Sequence, residues 1–233
     1  MPIMTGPLIE FRNLSKSYRE AERDHLVLEN VNAEINEGEF VVLVGKSGCG
    51  KSSLLNLISG IDAPSSGDIF VNNESLTDMN EEKRTLFRRR NIGIVFQSFN
   101  LIPTLTVTDN LLLPLELTKQ LDEESRSRAK DLLEQLGMTQ RADYYPDKLS
   151  TGEQQRIAIA RALIHQPSII LADEPTGNLD QETGKEVLAL LDQLVRQAGK
   201  TMVMVTHSQE VIGLADRLMT IRDCHLYETE STS

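Results

Sequence analysis

Eight consecutive residues, Gly45-Lys46-Ser47-Gly48-Cys49-Gly50-Lys51-Ser52, match the pattern G-x-x-x-x-G-K-[ST] in full. Glycines at that spacing let the backbone curl until its N–H groups converge on phosphate oxygens. Lys51 then reaches the β- and γ-phosphates, and the Ser52 hydroxyl is a ligand for Mg2+. This chemistry needs a carboxylate at the end of a neighbouring apolar strand, and Ile169-Ile170-Leu171-Ala172-Asp173-Glu174 supplies one. Asp173 suits an Mg2+ ion held through water. Glu174, the next residue, suits orienting or deprotonating an attacking water. Cys49 lies close to Lys51 and a helix N-terminus, both of which favour a thiolate; it is either a reactive thiol or a small filler.

These residues need elements to hold them. Phe40–Val44 is a continuous apolar run, the pattern of a strand buried on both faces, and a helix is expected from Lys51 to Ser59. Leu8–Ser15, Asp68–Asn72, Ile92–Phe96, Ile169–Asp173 and Thr201–Val205 read as further strands, and Gln181–Gln197 and Ser208–Leu214 as helices. That alternation predicts an α/β fold with a wound, largely parallel sheet. From Ser98 to Ile164 the pattern is helical, with amphipathic stretches at Leu121–Leu136 and Glu153–Leu163. Pro103, Pro114, Pro146 and Pro167 punctuate this lobe, which reads as an insertion into the sheet. Arg88–Arg90 reads as a solvated helix end. His25, His165 and His225 have no ligand-like spacing and read as structural or exposed.

The 233 residues allow one large domain with an inserted lobe. Lys and Arg total 24 against 35 Asp and Glu, a net charge of −11. Such a chain is a poor general binder of nucleic acid, whose backbone needs cations, but a nucleotide is compatible because backbone N–H groups hold phosphates. Two distant cysteines, Cys49 and Cys224, form no disulfide ladder or zinc spacing. The first residues carry no basic segment followed by an apolar one, so no secretory leader is expected. No apolar run approaches the roughly 20 residues that a spanning helix needs.

Taken together and in order, the motifs resemble those of the nucleotide-binding subunits of ABC transporters. Leu149-Ser150-Thr151-Gly152-Glu153-Gln154-Gln155-Arg156 is similar to the family signature, Gln97 to the Q-loop glutamine, Gly177-Asn178-Leu179-Asp180 to the D-loop, His207 to the switch histidine and Tyr18 to the adenine-stacking aromatic. The resemblance covers almost the whole chain. It implies a P-loop NTPase of the RecA-like kind: a mainly parallel sheet, an antiparallel β subdomain and an inserted α-helical subdomain. Residues 1–97 and 165–233 would form the nucleotide-binding core of a single 1–233 domain, and 98–164 the helical subdomain. It implies ATP and Mg2+ as ligands. Gly45 to Ser53 and Tyr18 would bind ATP, and Ser52, Gln97 and Asp173 would hold Mg2+. Glu174, His207, Gln97 and Lys51 would serve hydrolysis. Ser150, Gly152, Glu153 and Asp180 would touch the ATP of a second copy. For Tyr18, packing on the sheet edge remains the competing role. Thr151 replaces the first glycine of the signature pair, and a β-branched residue resists φ > 0. Thr151→Gly is therefore expected to leave activity equal or higher.

Phe96-Gln97-Ser98-Phe99-Asn100-Leu101-Ile102-Pro103 and the run Asp173 to Asp180 are most similar to the branch of lipoprotein release, macrolide and peptide efflux, and the bacterial cell-division complex. That resemblance implies an ATPase at the inner face of the cytoplasmic membrane, held there by a permease that docks around Phe99 to Pro103, with a periplasmic or extracellular adaptor as a further partner. It leaves two functions open: export or extraction of cargo, or cell-division-type control of an extracytoplasmic hydrolase.

Overall fold

Burial follows the sequence pattern closely at the strand that feeds the phosphate loop: Phe40, Val41, Val42 and Leu43 are all at most 3% exposed. The structure is a computed structural model that describes residues 6–20 and 23–229. Residues 1–5, on which the expected lack of a leader partly rests, lie outside that description.

In chain order the first strands are β1 (Ile9–Glu20), β2 (Arg23–Ile35) and β3 (Phe40–Val44), followed by α1 (Lys51–Ile58). Then come β4 (Ser66–Val71), β5 (Glu74–Ser75), α2 (Glu81–Asn91) and β6 (Ile92–Phe96). Next are α3 (Val107–Leu117), α4 (Glu123–Gln135), α5 (Thr151–Leu163), β7 (Ile169–Asp173) and α6 (Gln181–Gln197). The chain closes with β8 (Thr201–Val205), α7 (Gln209–Ile212), β9 (Arg217–Arg222) and β10 (His225–Thr229). It divides into two compact units, residues 1–88 with 201–233, and residues 89–200.

The first unit holds two sheets. One is antiparallel, in the order β2-β1-β4-β5. In the other, β3 runs parallel to both β8 and β9, and β10 pairs antiparallel with β9. Helix α1 packs near β4 and β8 and buries Leu54, Leu55, Leu57 and Ile58. In the second unit β6 and β7 pair in parallel, Ile92 opposite Ile169 through Phe96 opposite Asp173. Helix α5 packs against α3, α4, α6 and β6 through Ile157 to Ala160.

β1, β2, β9 and β10 go beyond the sequence reading. β1 continues to Glu20, so Tyr18 lies within the strand and not after it. β2 escapes notice because its alternation is broken: its register against β1 shifts between Val31 and Leu28 and again between Leu28 and Leu26, with Asn30 in left-handed backbone. Bulges of this kind throw later side chains onto the other face. The β9–β10 hairpin turns at Asp223 and Cys224, both at positive φ, without the glycine that usually marks such a turn. Pro114 sits inside α3 and does not end it.

Candidate functional site

The expected site residues fall into two groups, one in each unit. Tyr18, Gly45 to Ser53 and His207 belong to the first; Gln97, Ser150, Gly152, Glu153, Asp173, Glu174 and Asp180 belong to the second.

In the first unit β3 ends at Val44 and the chain turns through Gly45, Gly48 and Gly50 at φ of 149°, 77° and 108°. Gly50 caps α1, and a Cβ there would lie 2.7 Å from Val27 Cγ1 and 3.0 Å from the Val27 carbonyl oxygen. Only glycine satisfies both the backbone angle and the space. No side chain caps α1 and its first turn has no acidic residue, so its N-terminal amides keep their partial positive charge for an anion. Lys51 is 6% exposed, and its ammonium donates to the carbonyls of Gly45 and Lys46, each at 2.9 Å. It also lies 4.0 Å from Cys49 Sγ. Lys46, Ser47, Gly48 and Ser52 are exposed. A cavity of about 670 Å3 is lined by Val44 to Cys49 and Thr220 to Asp223.

Tyr18 is fastened beside the helix that follows the loop. Its hydroxyl donates to Asp62 at 2.9 Å and lies 3.2 Å from Ser53 Oγ. The Lys16 ammonium sits 4.6 Å from the ring centroid and 2.7 Å from the same Asp62. Burial, reinforced by Asp62, pushes the Tyr18 hydroxyl above its ordinary pKa. The exposed His207 follows the fully buried strand β8, close to the start of α7.

In the second unit Gln97 leaves the end of β6. Its Nε2 donates to Asn178 Oδ1 at 3.3 Å, and Asn178 Nδ2 donates back to the Gln97 carbonyl at 3.0 Å. A Cβ on Gly177 would come within 2.6 Å of Gln97 Nε2, so glycine is what allows this approach. Asp173 closes β7, and Glu174 follows in left-handed backbone at φ 45°. For a residue with a Cβ that geometry costs about 1 kcal/mol or more. The turn that carries it is closed by the Gly177 amide donating to the Glu174 carbonyl at 3.0 Å.

The signature forms a capping box. Ser150 Oγ accepts from the Glu153 amide at 3.2 Å, and the Glu153 carboxylate accepts from the Ser150 amide at 2.8 Å. That backbone hydrogen bond, helped by Arg141 at 3.2 Å, holds the Glu153 carboxyl below its usual range. Thr151 opens α5 and is not among the positive-φ residues, so the backbone strain expected of a β-branched residue there is absent. Asp180 caps α6 by accepting from the Thr183 amide at 3.0 Å; hydrogen bonds from the Thr183 side chain and amide hold its carboxyl below the ordinary value.

The segment after Gln97 is pinned at two points. Phe99 and Asn100 both adopt positive φ, and the Arg161 guanidinium donates to their carbonyls at 2.7 and 2.5 Å. Burial pushes the Arg161 pKa down. Asn110, fully buried, accepts from the Ile102 amide at 2.7 Å and donates to the Ile102, Leu105 and Thr106 carbonyls at 3.0–3.1 Å. Ile102, 37% exposed, is therefore presented on a fixed scaffold. Sequence reasoning passed over Asn110, Gln155, Arg161 and the amide of Asn178. The available signal was a polar residue on the buried stripe of a helix, as Asn110 is between Val107 and Leu111.

Residues 28–177 match the family described as ABC transporter. An uncharacterised ABC transporter ATP-binding protein of Mycobacterium tuberculosis is 53% identical over 216 residues, 93% of this chain and 87% of that protein. The macrolide export ATP-binding/permease protein MacB of Syntrophobacter fumaroxidans is 41% identical over 218 residues, 93% of this chain and 30% of that protein. Among solved structures, the dimeric post-hydrolysis state of the ATP-binding cassette MJ0796, from Methanocaldococcus jannaschii and bound to ADP and Pi, is 40% identical. It superposes with a TM-score of 0.86 over 97% of this chain and 99% of that one. Among the described residues no helix is long and apolar enough to cross a membrane.

Proposed function

This chain belongs to the ABC transporter family and carries its ATPase cassette, and on that premise we propose that it powers a separate membrane permease of the mechanical export or extraction type. The supporting observation is the phosphate loop, where an uncapped helix opens at Gly50 and the buried Lys51 ammonium rests on the loop's own carbonyls. Phosphate oxygens would exchange with those carbonyls at little cost. The likeness to a macrolide export protein supports a macrolide-like cargo; lipoprotein or peptide cargo rests on the motif resemblance alone. In this reading one cassette comprises a core of residues 1–97 and 165–233 and a helical subdomain of 98–164.

Two copies face each other; the dimeric state of the MJ0796 cassette supports a pair. Gly45 to Ser53 of one copy hold the phosphates, Tyr18 stacks on adenine, and Ser150, Gly152, Glu153 and Asp180 of the other close the site. Ser52, Gln97 and Asp173 would hold Mg2+; all offer the oxygen ligands a hard cation needs. For Gln97 the fit is specific: Asn178 takes the amide nitrogen, which reserves Oε1 for a ligand. The ion, when bound, neutralises charge on the phosphates. Glu174 orients the attacking water and accepts its proton, His207 hydrogen-bonds the γ-phosphate, and Lys51 stabilises the charge that develops there. Because ATP binds the closed pair, it shifts the open–closed equilibrium, and loss of the γ-phosphate reverses the shift. The loop at Phe99 to Pro103, exposed at Asn100, Ile102 and Pro103, docks the permease at the cytoplasmic face of the membrane.

The test has two stages. Purified chain should hydrolyse ATP, and Glu174→Gln should bind ATP yet accumulate as a dimer with turnover reduced by about 100-fold or more. Normal turnover in that variant rejects Glu174 as the base. The same variant, with ATP and Mg2+, should then copurify from native membranes with a permease of few spanning helices and a large external domain. A many-helix importer permease would reject the export branch, and an extracytoplasmic hydrolase regulated without cargo would replace transport by the cell-division-type role.

A further inference from the structure

Gln155 sits on the signature helix five residues after Ser150, and it is fully buried. Its side-chain Nε2 donates to the Pro175 carbonyl at 2.6 Å and lies 3.4 Å from the Phe96 carbonyl. Phe96 immediately precedes Gln97, and Pro175 immediately follows Glu174. One amide therefore bridges the backbone beside both residues. The two hydrogens of an amide nitrogen suit two acceptors. The oxygen Oε1 is buried without a hydrogen-bond partner, so the side chain keeps that orientation at a cost in desolvation. A leucine would fill the space without that penalty. The conformation it supports is itself costly: Glu174 is left-handed, and its turn closes onto Gly177. The Gln97–Asn178 amide pair joins the same two segments from the other end.

We infer that Gln155 is a positioning residue for hydrolysis: it ties the signature helix to the backbone beside Gln97 and Glu174, so that displacement of the signature moves both. The inference rests on the roles proposed above for Gln97, Glu174 and Ser150. Gln155 touches neither nucleotide nor ion. Its action runs through the Phe96 and Pro175 carbonyls, which a misplacement of order 1 Å would carry with it.

The test uses the full chain with Gln155→Met, of similar length but without donors, and Gln155→Glu, which keeps the shape and places acceptor oxygens against the carbonyls. Wild type and Glu174→Gln are measured first: an inactive wild type rejects the hydrolysis reading itself, and an active Glu174→Gln rejects the role given to Glu174. With that reading standing, kcat should fall about 10- to 100-fold in Gln155→Met while KM for ATP changes less than about threefold. Hydrogen exchange should quicken in peptides covering 95–100 and 174–179 and stay unchanged in α4. In a Gln97→Ala background the effect of Gln155→Met should shrink, because residues acting as one unit are not additive. Ile157→Val, on the same helix, controls for lost stability: a comparable kcat loss there at matched thermal stability rejects a positional role. Unchanged kcat and exchange in a folded Gln155→Met chain overturns the inference. If that chain does not fold, Gln155→Glu carries the same comparison.

Discussion

The phosphate loop and the Gln97–Glu174 network reach precision by opposite routes. The loop is backbone: eight contiguous residues whose glycines take angles other residues resist, with a lysine folded onto its own carbonyls. The network is side chain: Gln155, Asn178 and Gln97 knit three segments that lie far apart in sequence. A contiguous loop carries its geometry wherever a strand and helix hold its ends. A network of amides depends on every helix that carries a member. The difference predicts that damage to the loop abolishes nucleotide chemistry outright, whereas damage to the network weakens the rate and spares binding.

The sharpest break in this contrast is Lys51→Ala. Removing the ammonium should lower ATP turnover by about 1,000-fold or more and weaken nucleotide binding, measured by steady-state hydrolysis and by titration. Retained affinity would mean that amides suffice for binding and that Lys51 serves only the developing charge. Next is Asn178→Ala, which frees both ends of the Gln97 pair. A kcat lower by about tenfold with ATP affinity unchanged is expected, as the network side of the comparison requires. An equal loss of affinity would merge the two regions into one.

A smaller effect concerns His165, whose Nε2 lies 3.2 Å from the Ile92 carbonyl while burial lowers its pKa. The folded chain resists the proton that the unfolded chain takes near its ordinary pKa of about 6.5. Its stability contribution is therefore present above about pH 6.5 and is lost as pH falls toward the depressed folded value. Urea midpoints measured from about pH 7 down to about pH 5 should fall more steeply for the natural chain than for His165→Gln. Parallel slopes would discount His165. The smallest effect is Thr151→Gly. Thr151 needs no left-handed backbone, so the change should cost under about 0.5 kcal/mol in stability and leave turnover within about twofold. A large loss of rate would show that the threonine side chain itself belongs to the signature site.

Much was legible before any coordinates. β3, β6, β7, β8 and α6 occur at the residues the pattern predicts, because strands buried on both faces read as unbroken apolar runs and a long helix repeats its apolar face. β2 was not, since its bulge around Asn30 breaks the alternation. The hairpin at Asp223 and Cys224 was not, since its turn lacks glycine.

The identity of the phosphate loop, the carboxylate pair at Asp173 and Glu174 and the family order of the motifs were determined by sequence, because each is a local pattern whose chemistry is carried by adjacent residues. Which polar groups hold those residues in place was decided by tertiary structure. Gln155 reads as one more glutamine in a helix until α5 is laid against the ends of β6 and β7; only there do two carbonyls far apart in sequence meet a single amide. A hydrogen bond is set by distance and angle in space, and neither is a property of spacing along the chain.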